Sequence, residues 1–296
     1  MAFHGSIVVQ DHGKIKNAEV NNYTTPKINT PVATNAALPK ATLLKFQAFR
    51  QFQNETLIHK MNQNLPISIL PRLVNIATAV GRITSWDKNN PTVKFFGTGF
   101  LIASDYVMTN EHVLGSSWTG FVEFGYDDDN CDKIERKFQS ISSKNYIADK
   151  FLDFAIIKLQ NPFVQNNYIA LDNSSDDELQ DNRLIIIHHP AGDPKKISLH
   201  GNRVVGSDDL CLWYTNDTAG GSSGSPVFNT KLNLVALHRR FVQLDNDETL
   251  SNKLDNDEYN QNLANEGVLI KSVLAELKKI RKTSQFEGFN EILPSN

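Results

Sequence analysis

The chain has 296 residues, 40% hydrophobic and 21% charged, which is the usage of a globular protein and not of a disordered one. Thirty Lys and Arg against 33 Asp and Glu leave a formal charge of −3, without the basic excess of a dedicated nucleic-acid binder. No apolar run reaches the ~18 residues of a membrane-spanning helix, and Met1 to Asp11 lacks the basic start and apolar stretch of a secretory leader.

A cytoplasmic location is therefore expected, or a secreted one if a leader is missing. The two cysteines, Cys131 and Cys211, then read as reduced thiols. Residues 1–40 are polar, rich in Asn, Thr and Pro toward their end, and read as a linker or loosely held arm. From 41 to 64, Leu44, Phe46, Phe49, Phe52, Leu57 and Met61 recur mostly at three- to five-residue spacing, which predicts an amphipathic helix. The expected division is an N-terminal extension over 1–71 and a main domain over 72–296.

Beyond residue 72 the apolar runs become short and are bounded by Gly, Asp, Asn and Pro. Phe100 to Ile102, Tyr106 to Met108, Ala155 to Ile157, Leu184 to Ile187, Val204 to Val205, Leu210 to Tyr214 and Leu234 to Leu237 all have strand length. Many short strands without intervening helices favour an all-β sandwich or barrel. Residues 244–264 read as a polar surface loop. Its twin Asp-Asn-Asp-Glu runs lack the full pattern of a calcium loop. Ser272 to Lys282 predicts a C-terminal helix, with Ser272 as its cap and basic residues at the negative end of its dipole.

Three segments carry chemistry. Asp217 to Val227 holds Gly220-Gly221-Ser222-Ser223-Gly224-Ser225-Pro226 between two strand-like runs, so it is not an interdomain linker. Read as a nucleophile elbow it would need an acid and then a histidine downstream. No acid lies between Ser222 and His238, the only later histidine. With Ser223 as nucleophile, the base and acid lie upstream in the order His, Asp, Ser. His112 follows the strand-like Tyr106 to Met108, and Asp153 directly precedes a buried run. A serine hydroxyl is a weak nucleophile without an adjacent base, and the base needs an orienting acid.

Thr109-Asn110-Glu111-His112, Asp153-Phe154-Ala155-Ile156 and Gly221-Ser222-Ser223-Gly224-Ser225-Pro226 stand in order. On these motifs the chain resembles the trypsin-like, chymotrypsin-fold serine peptidases, closest to bacterial members such as glutamyl endopeptidases. The likeness spans about residues 72 to 283. It implies two antiparallel six-stranded β-barrels with the site between them, an all-β fold to which the residues themselves add a C-terminal helix and a partly helical N-terminal extension. It implies a serine endopeptidase acting on protein or peptide through His112, Asp153 and Ser223, with backbone N–H groups of Gly221 and Ser223 as oxyanion hole. No metal, cofactor, nucleic acid or membrane is expected.

Similar glutamyl endopeptidases bind an acidic P1 side chain with a Thr and a His at the spacing of Thr218 and His238. A hydroxyl and an imidazole can both donate to a carboxylate. Arg239 and Arg240 are expected to bias the cleft further toward acidic ligands. Animal members carry an Asp just before the nucleophile to pair with a new N-terminus, whereas this chain has Ser222. The extension over 1–71 keeps open a protease that is latent until this segment is cleaved or bound by a partner. A catalytically silent peptide-binding module is the other alternative. His188-His189-Pro190 lacks further ligands at metal spacing. Trp86, Trp118 and Trp213 read as packing residues.

Overall fold

A computed structural model describes residues 6–11, 14–19, 64–114, 118–128, 136–143, 145–161, 167–172, 183–243, 263–284, 286 and 288–293. The chain divides into two compact units, 1–63 and 64–296. In the first, strands β1 (Ser6–Asp11) and β2 (Lys14–Glu19) pair antiparallel from Ser6↔Glu19 to Asp11↔Lys14. The polar-arm reading therefore missed a hairpin: Ile7, Val8 and Val9 suit a strand, and two residues separate it from its partner. The amphipathic helix expected over 41–64 lies outside the described residues, except for Asn64, which has no regular structure.

The second unit opens with helix α1 (Ile69–Ala77), whose Ile69 and Leu73 are buried in the main core. The division thus falls after Gln63, ahead of the 71/72 boundary read from the sequence. Seven antiparallel strands follow: β3 (Val80–Asp87), β4 (Asn90–Ala103), β5 (Tyr106–Thr109), β6 (Trp118–Phe124), β7 (Lys137–Ser142), β8 (Tyr146–Asp149) and β9 (Phe154–Lys158). Their order across the sheet is β7-β6-β3-β4-β5-β9-β8. The second seven are β10 (Leu184–His188), β11 (Lys196–Ser198), β12 (Val204–Ser207), β13 (Cys211–Tyr214), β14 (Pro226–Asn229), β15 (Leu234–Gln243) and β16 (Leu263–Leu269), in the order β11-β10-β14-β15-β16-β13-β12.

Each sheet has seven strands where six were expected, and its edges explain the difference. The outermost strands, β7 with β8 and β11 with β12, are consecutive in the chain. Each pair is one bent strand that leaves one end of the sheet and rejoins the other, which curls the sheet into a barrel. Gln160 N–H donates to Ser140 O at 3.4 Å across the first seam, and Leu184 N–H to Asn202 O at 3.1 Å across the second. Counting each bent strand once restores six.

Strands β9 (FAIIK) and β10 (LIIIH) are buried almost throughout, as unbroken apolar runs must be. Each fully buried Ile, Leu or Phe stabilises the fold by roughly 1.5–3 kcal/mol. Trp118 and Tyr106 are among the largest fully buried side chains. Trp86 meets the Phe121 ring edge-on, and Trp213 Nε1–H donates to Glu266 Oε2 at 3.2 Å.

Helix α2 (Ile270–Ile280) buries Val273, Leu274 and Leu277, and α3 (Phe289–Ile292) adds Phe289 and Ile292 to the core. Ser272 is not its cap. Strand β16 runs directly into the helix, so Ser272 lies inside the first turn and its hydroxyl donates to Asp209 O at 3.0 Å. Lys278 and Lys279 do occupy the last turn. Among the described residues no helix is long and apolar enough to cross a membrane.

Candidate active site

The turn after β5 carries His112, and Asp153 is the last residue before β9, which pairs with β5 through Thr109↔Ala155. Pairing of these strands therefore brings the two side chains together. Asp153 has a left-handed backbone, φ +54°, a conformation that Asp tolerates better than bulkier residues. Its carbonyl accepts the Asn110 Nδ2–H at 2.7 Å, so Asn110 of the first motif fixes the turn that aims the carboxylate.

Asp153 Oδ1 accepts the His112 backbone N–H at 3.0 Å, and Oδ2 lies 2.7 Å from His112 Nδ1. The carboxylate is almost buried, and the imidazole is half-exposed. A proton on Nδ1 directed at the carboxylate leaves Nε2 with its lone pair free to act as a base. Such a pair can serve as the base and its orienter in a hydrolytic site.

Ser223 sits in the loop between β13 and β14. Gly221 and Gly224 have φ +92° and +87°, which residues with side chains rarely adopt. A Cβ on Gly224 would strike Thr98 O and Thr109 Oγ1 of the first barrel. Thr98, on β4, ties the two barrels together at this point. Its N–H donates to Ser223 O at 2.8 Å and its hydroxyl to Gly221 O at 2.8 Å.

The loop is also held from beneath by the segment after β10. Ala191 N–H donates to Gly220 O. Ser222 Oγ accepts the Ala219 N–H at 3.1 Å and lies 2.8 Å from His188 Nδ1. Burial pushes His188 down to about 4, so the ring bonded to Ser222 is neutral at ordinary pH. A neutral Ser–His pair thus stands where an Asp would pair with a new N-terminus. Among the described residues neither the Gly221 nor the Ser223 N–H has an acceptor, as an oxyanion hole requires.

His112, Ser223, Thr218 and His238 line one cavity of about 530 Å³. The structure therefore brings the sequence-derived residues to a single place. Ser223 Oγ–H donates to Arg239 O at 3.2 Å, so the hydroxyl rests on that carbonyl. Bonds between nucleophile and base often tighten only with substrate present.

Thr218 Oγ1–H donates to Asn265 Oδ1 at 2.8 Å, and Asn265 Nδ2–H donates to Asn216 O at 2.5 Å. His238 is buried, its Nδ1 lies 2.7 Å from Tyr214 OH, and burial lowers it to about 3. It is neutral at pH 7 and presents one N–H. If Tyr214 donates to Nδ1, that N–H is Nε2–H.

The arginines do not behave as expected from sequence. Arg239 Nε donates to Asp153 Oδ2 at 3.3 Å, and Arg240 Nε donates to Glu266 Oε1 at 3.0 Å. Both guanidiniums are engaged by carboxylates of the protein itself, which balances their charge within the cleft wall.

Cys211 is a free thiol that burial raises to about 11, so it is protonated and unreactive near neutrality. Cys131 lies outside the described residues, as does the polar run over 244–262. Among the described residues no three His, Cys, Asp or Glu side chains cluster as metal ligands. His189 stacks on Tyr126 and bonds through Nδ1 to Asp193 O at 2.9 Å.

Two closed antiparallel barrels, with a His–Asp pair from one and a glycine-bounded serine from the other on a common cavity, make up a chymotrypsin-like fold. Residues 97–237 match the family model described as the trypsin-like peptidase domain. The chain is 28% identical over 243 residues to uncharacterized protein y4fB of Sinorhizobium fredii, covering 70% of this chain and 35% of that protein. It is 33% identical over 169 residues to secreted RxLR effector protein 73 of Plasmopara viticola, covering 50% and 42%. A glutamyl endopeptidase of Staphylococcus aureus is 25% identical over 166 residues, covering 50% and 43%. The matched regions thus span 35–43% of the length of these relatives.

Proposed function

We propose that the protein is a serine endopeptidase in which Ser223 attacks the peptide carbonyl, His112 moves the proton and Asp153 holds the imidazole. The observation that supports this best is the 2.7 Å His112–Asp153 bond on the wall of the cavity that also holds Ser223. Ser223 Oγ leaves Arg239 O, passes its proton to His112 Nε2 and bonds to the carbonyl carbon. The oxyanion gathers the free N–H groups of Gly221 and Ser223. His112 then returns the proton to the leaving amine, and water hydrolyses the acyl-enzyme.

The P1 side chain is proposed to be acidic. His238 can offer an Nε2–H to a carboxylate, and a shift of Asn265 would release the Thr218 hydroxyl as a second donor. The similarity to a glutamyl endopeptidase supports the same choice.

The test is digestion of a denatured protein mixture by wild type and by Ser223→Ala, with new termini read by mass spectrometry. Cuts made by wild type alone, after Glu or Asp, are expected. Removal of the nucleophile lowers kcat on the order of 10⁴–10⁶-fold. Equal cleavage by both proteins would exclude Ser223. No cleavage, and no labelling of Ser223 by a fluorophosphonate, would indicate a silent peptide-binding module.

A further inference from the structure

We propose that Asn265 is a specificity-determining residue of the P1 pocket that acts through Thr218. Its side-chain amide fixes the direction of the Thr218 hydroxyl, so that the pocket admits a carboxamide, Gln, alongside the carboxylate of Glu. The inference deepens the acidic P1 reading above and rests on it.

Asn265 lies on β16, opposite Tyr214 of β13 and Phe241 of β15, and lines the cavity together with Thr218 and His238. Its amide has one orientation. Nδ2 lies 2.5 Å from Asn216 O, and Oδ1 lies 2.8 Å from Thr218 Oγ1. A main-chain carbonyl only accepts, so the nitrogen must face it. The reversed amide would set two acceptors against each other. Oδ1 is then left to Thr218, and it too only accepts. The Thr218 hydroxyl therefore gives its single proton to Asn265 and has only lone pairs to offer a substrate.

Tyr214 orients the other pocket group in the same manner. Among the described residues its buried hydroxyl has one hydrogen-bond partner, His238 Nδ1 at 2.7 Å. Were Nδ1 to donate, the Tyr214 proton would be buried without an acceptor, which is costly. Tyr214 therefore donates, and the neutral ring presents Nε2–H.

The pocket thus holds one donor, His238, and one acceptor, Thr218. A carboxamide matches both, with its oxygen on His238 and its NH₂ on Thr218. A carboxylate matches His238 alone and meets Thr218 lone pair to lone pair. Nearby charges do not reverse this. Arg239 and Arg240 are bonded to Asp153 and Glu266, and the exposed Asp217 adds a carboxylate to the same lining.

The test uses peptides that differ only in Glu, Gln or Leu at P1, cleaved by the full chain, with the Glu:Gln ratio of kcat/KM as readout. In wild type the ratio is expected to lie within about tenfold of unity. Asn265→Ala frees the Thr218 proton for the carboxylate, and the ratio is expected to rise about tenfold through faster cleavage after Glu. Thr218→Val removes only an acceptor, so the ratio is expected to rise several-fold through slower cleavage after Gln. In the double variant the gain on Glu disappears, because no hydroxyl is left to release.

A merely structural Asn265 would lower both substrates equally and leave the ratio in place. A wild-type preference for Glu beyond about tenfold, or an unmoved ratio in Asn265→Ala, would overturn the inference alone. If Asn265→Ala does not fold, Thr218→Val decides by sign: a fall in the ratio means that the hydroxyl already donates to the carboxylate, and overturns it equally. A wild type that prefers the Leu peptide to both others would overturn the acidic P1 reading. One that is folded and cleaves none of them would overturn the serine peptidase reading. The inference falls with either.

Discussion

The two barrels contribute to the cavity by different physical means. The first supplies a side-chain constellation, a carboxylate and an imidazole held by charge-assisted bonds of 2.7–3.0 Å. The second supplies a backbone shape: two glycines with positive φ and a buried neutral Ser222–His188 pair beneath the nucleophile. A charged constellation fails when a charge or tautomer is wrong. A backbone shape fails when an atom is added.

Substitutions can break each half in its own way. Asp153→Asn is expected to have the larger effect, about a 10⁴-fold fall in kcat, because a carboxamide NH₂ facing Nδ1 selects the wrong imidazole tautomer. Steady-state kinetics with an unchanged melting temperature would separate this from unfolding. An activity near wild type would deny Asp153 its role.

Gly221→Ala comes next. A Cβ there would stand 2.7 Å from His189 O, on a residue with φ +92°. The loop must shift and misplace one oxyanion donor, for an expected loss of about 10²–10³ in kcat. Single-turnover rates test this, and a loss confined to KM would place the fault in substrate binding.

The smallest effect is on stability. Burial lowers His188 to about 4, and His189 and His238 to about 3, against 6.5 in an unfolded chain. Between these values and 6.5 the unfolded state binds more protons, so stability falls as pH drops through that window and is flat above it with respect to these groups. Tm is expected to drop by several degrees from pH 7 to 4, with a shallower slope in His238→Gln. A flat Tm in wild type would show that these rings are not held neutral.

Much of this was legible in the sequence because it is local. Unbroken apolar runs such as Leu184 to Ile187 became buried strands. The motifs around His112, Asp153 and Ser223 each sit beside the strand that positions them. Other strands were hidden for physical reasons. In β3, Gly81, Arg82, Thr84 and Ser85 interrupt the apolar run, yet Thr84 and Ser85 are buried, with Ser85 bonded to Val113 O at 2.6 Å. Single residues carry such partners without any pattern in the chain. The contacts of Arg239 depend on residues 86 and 27 positions away, so sequence could assign it only a surface charge and a substrate preference. The Ser222–His188 pair spans 34 positions, and its only local trace is a polar pair of histidines at the end of an apolar strand.

Closure of the barrels leaves one strand with a side to spare. Strand β14 pairs with β15 only as far as Leu237, and beyond it Arg239 to Gln243 keep β16 on one flank and, among the described residues, no strand on the other. In many proteins such an edge invites aggregation. Here it lies along the wall of the cavity, with Arg239, Arg240 and Phe241 in the lining. An extended peptide laid against it would bond through main-chain amides, which every sequence possesses. Grip on the chain, written in β15, would then be separable from choice of the side chain, which is proposed to fall to Thr218 and His238.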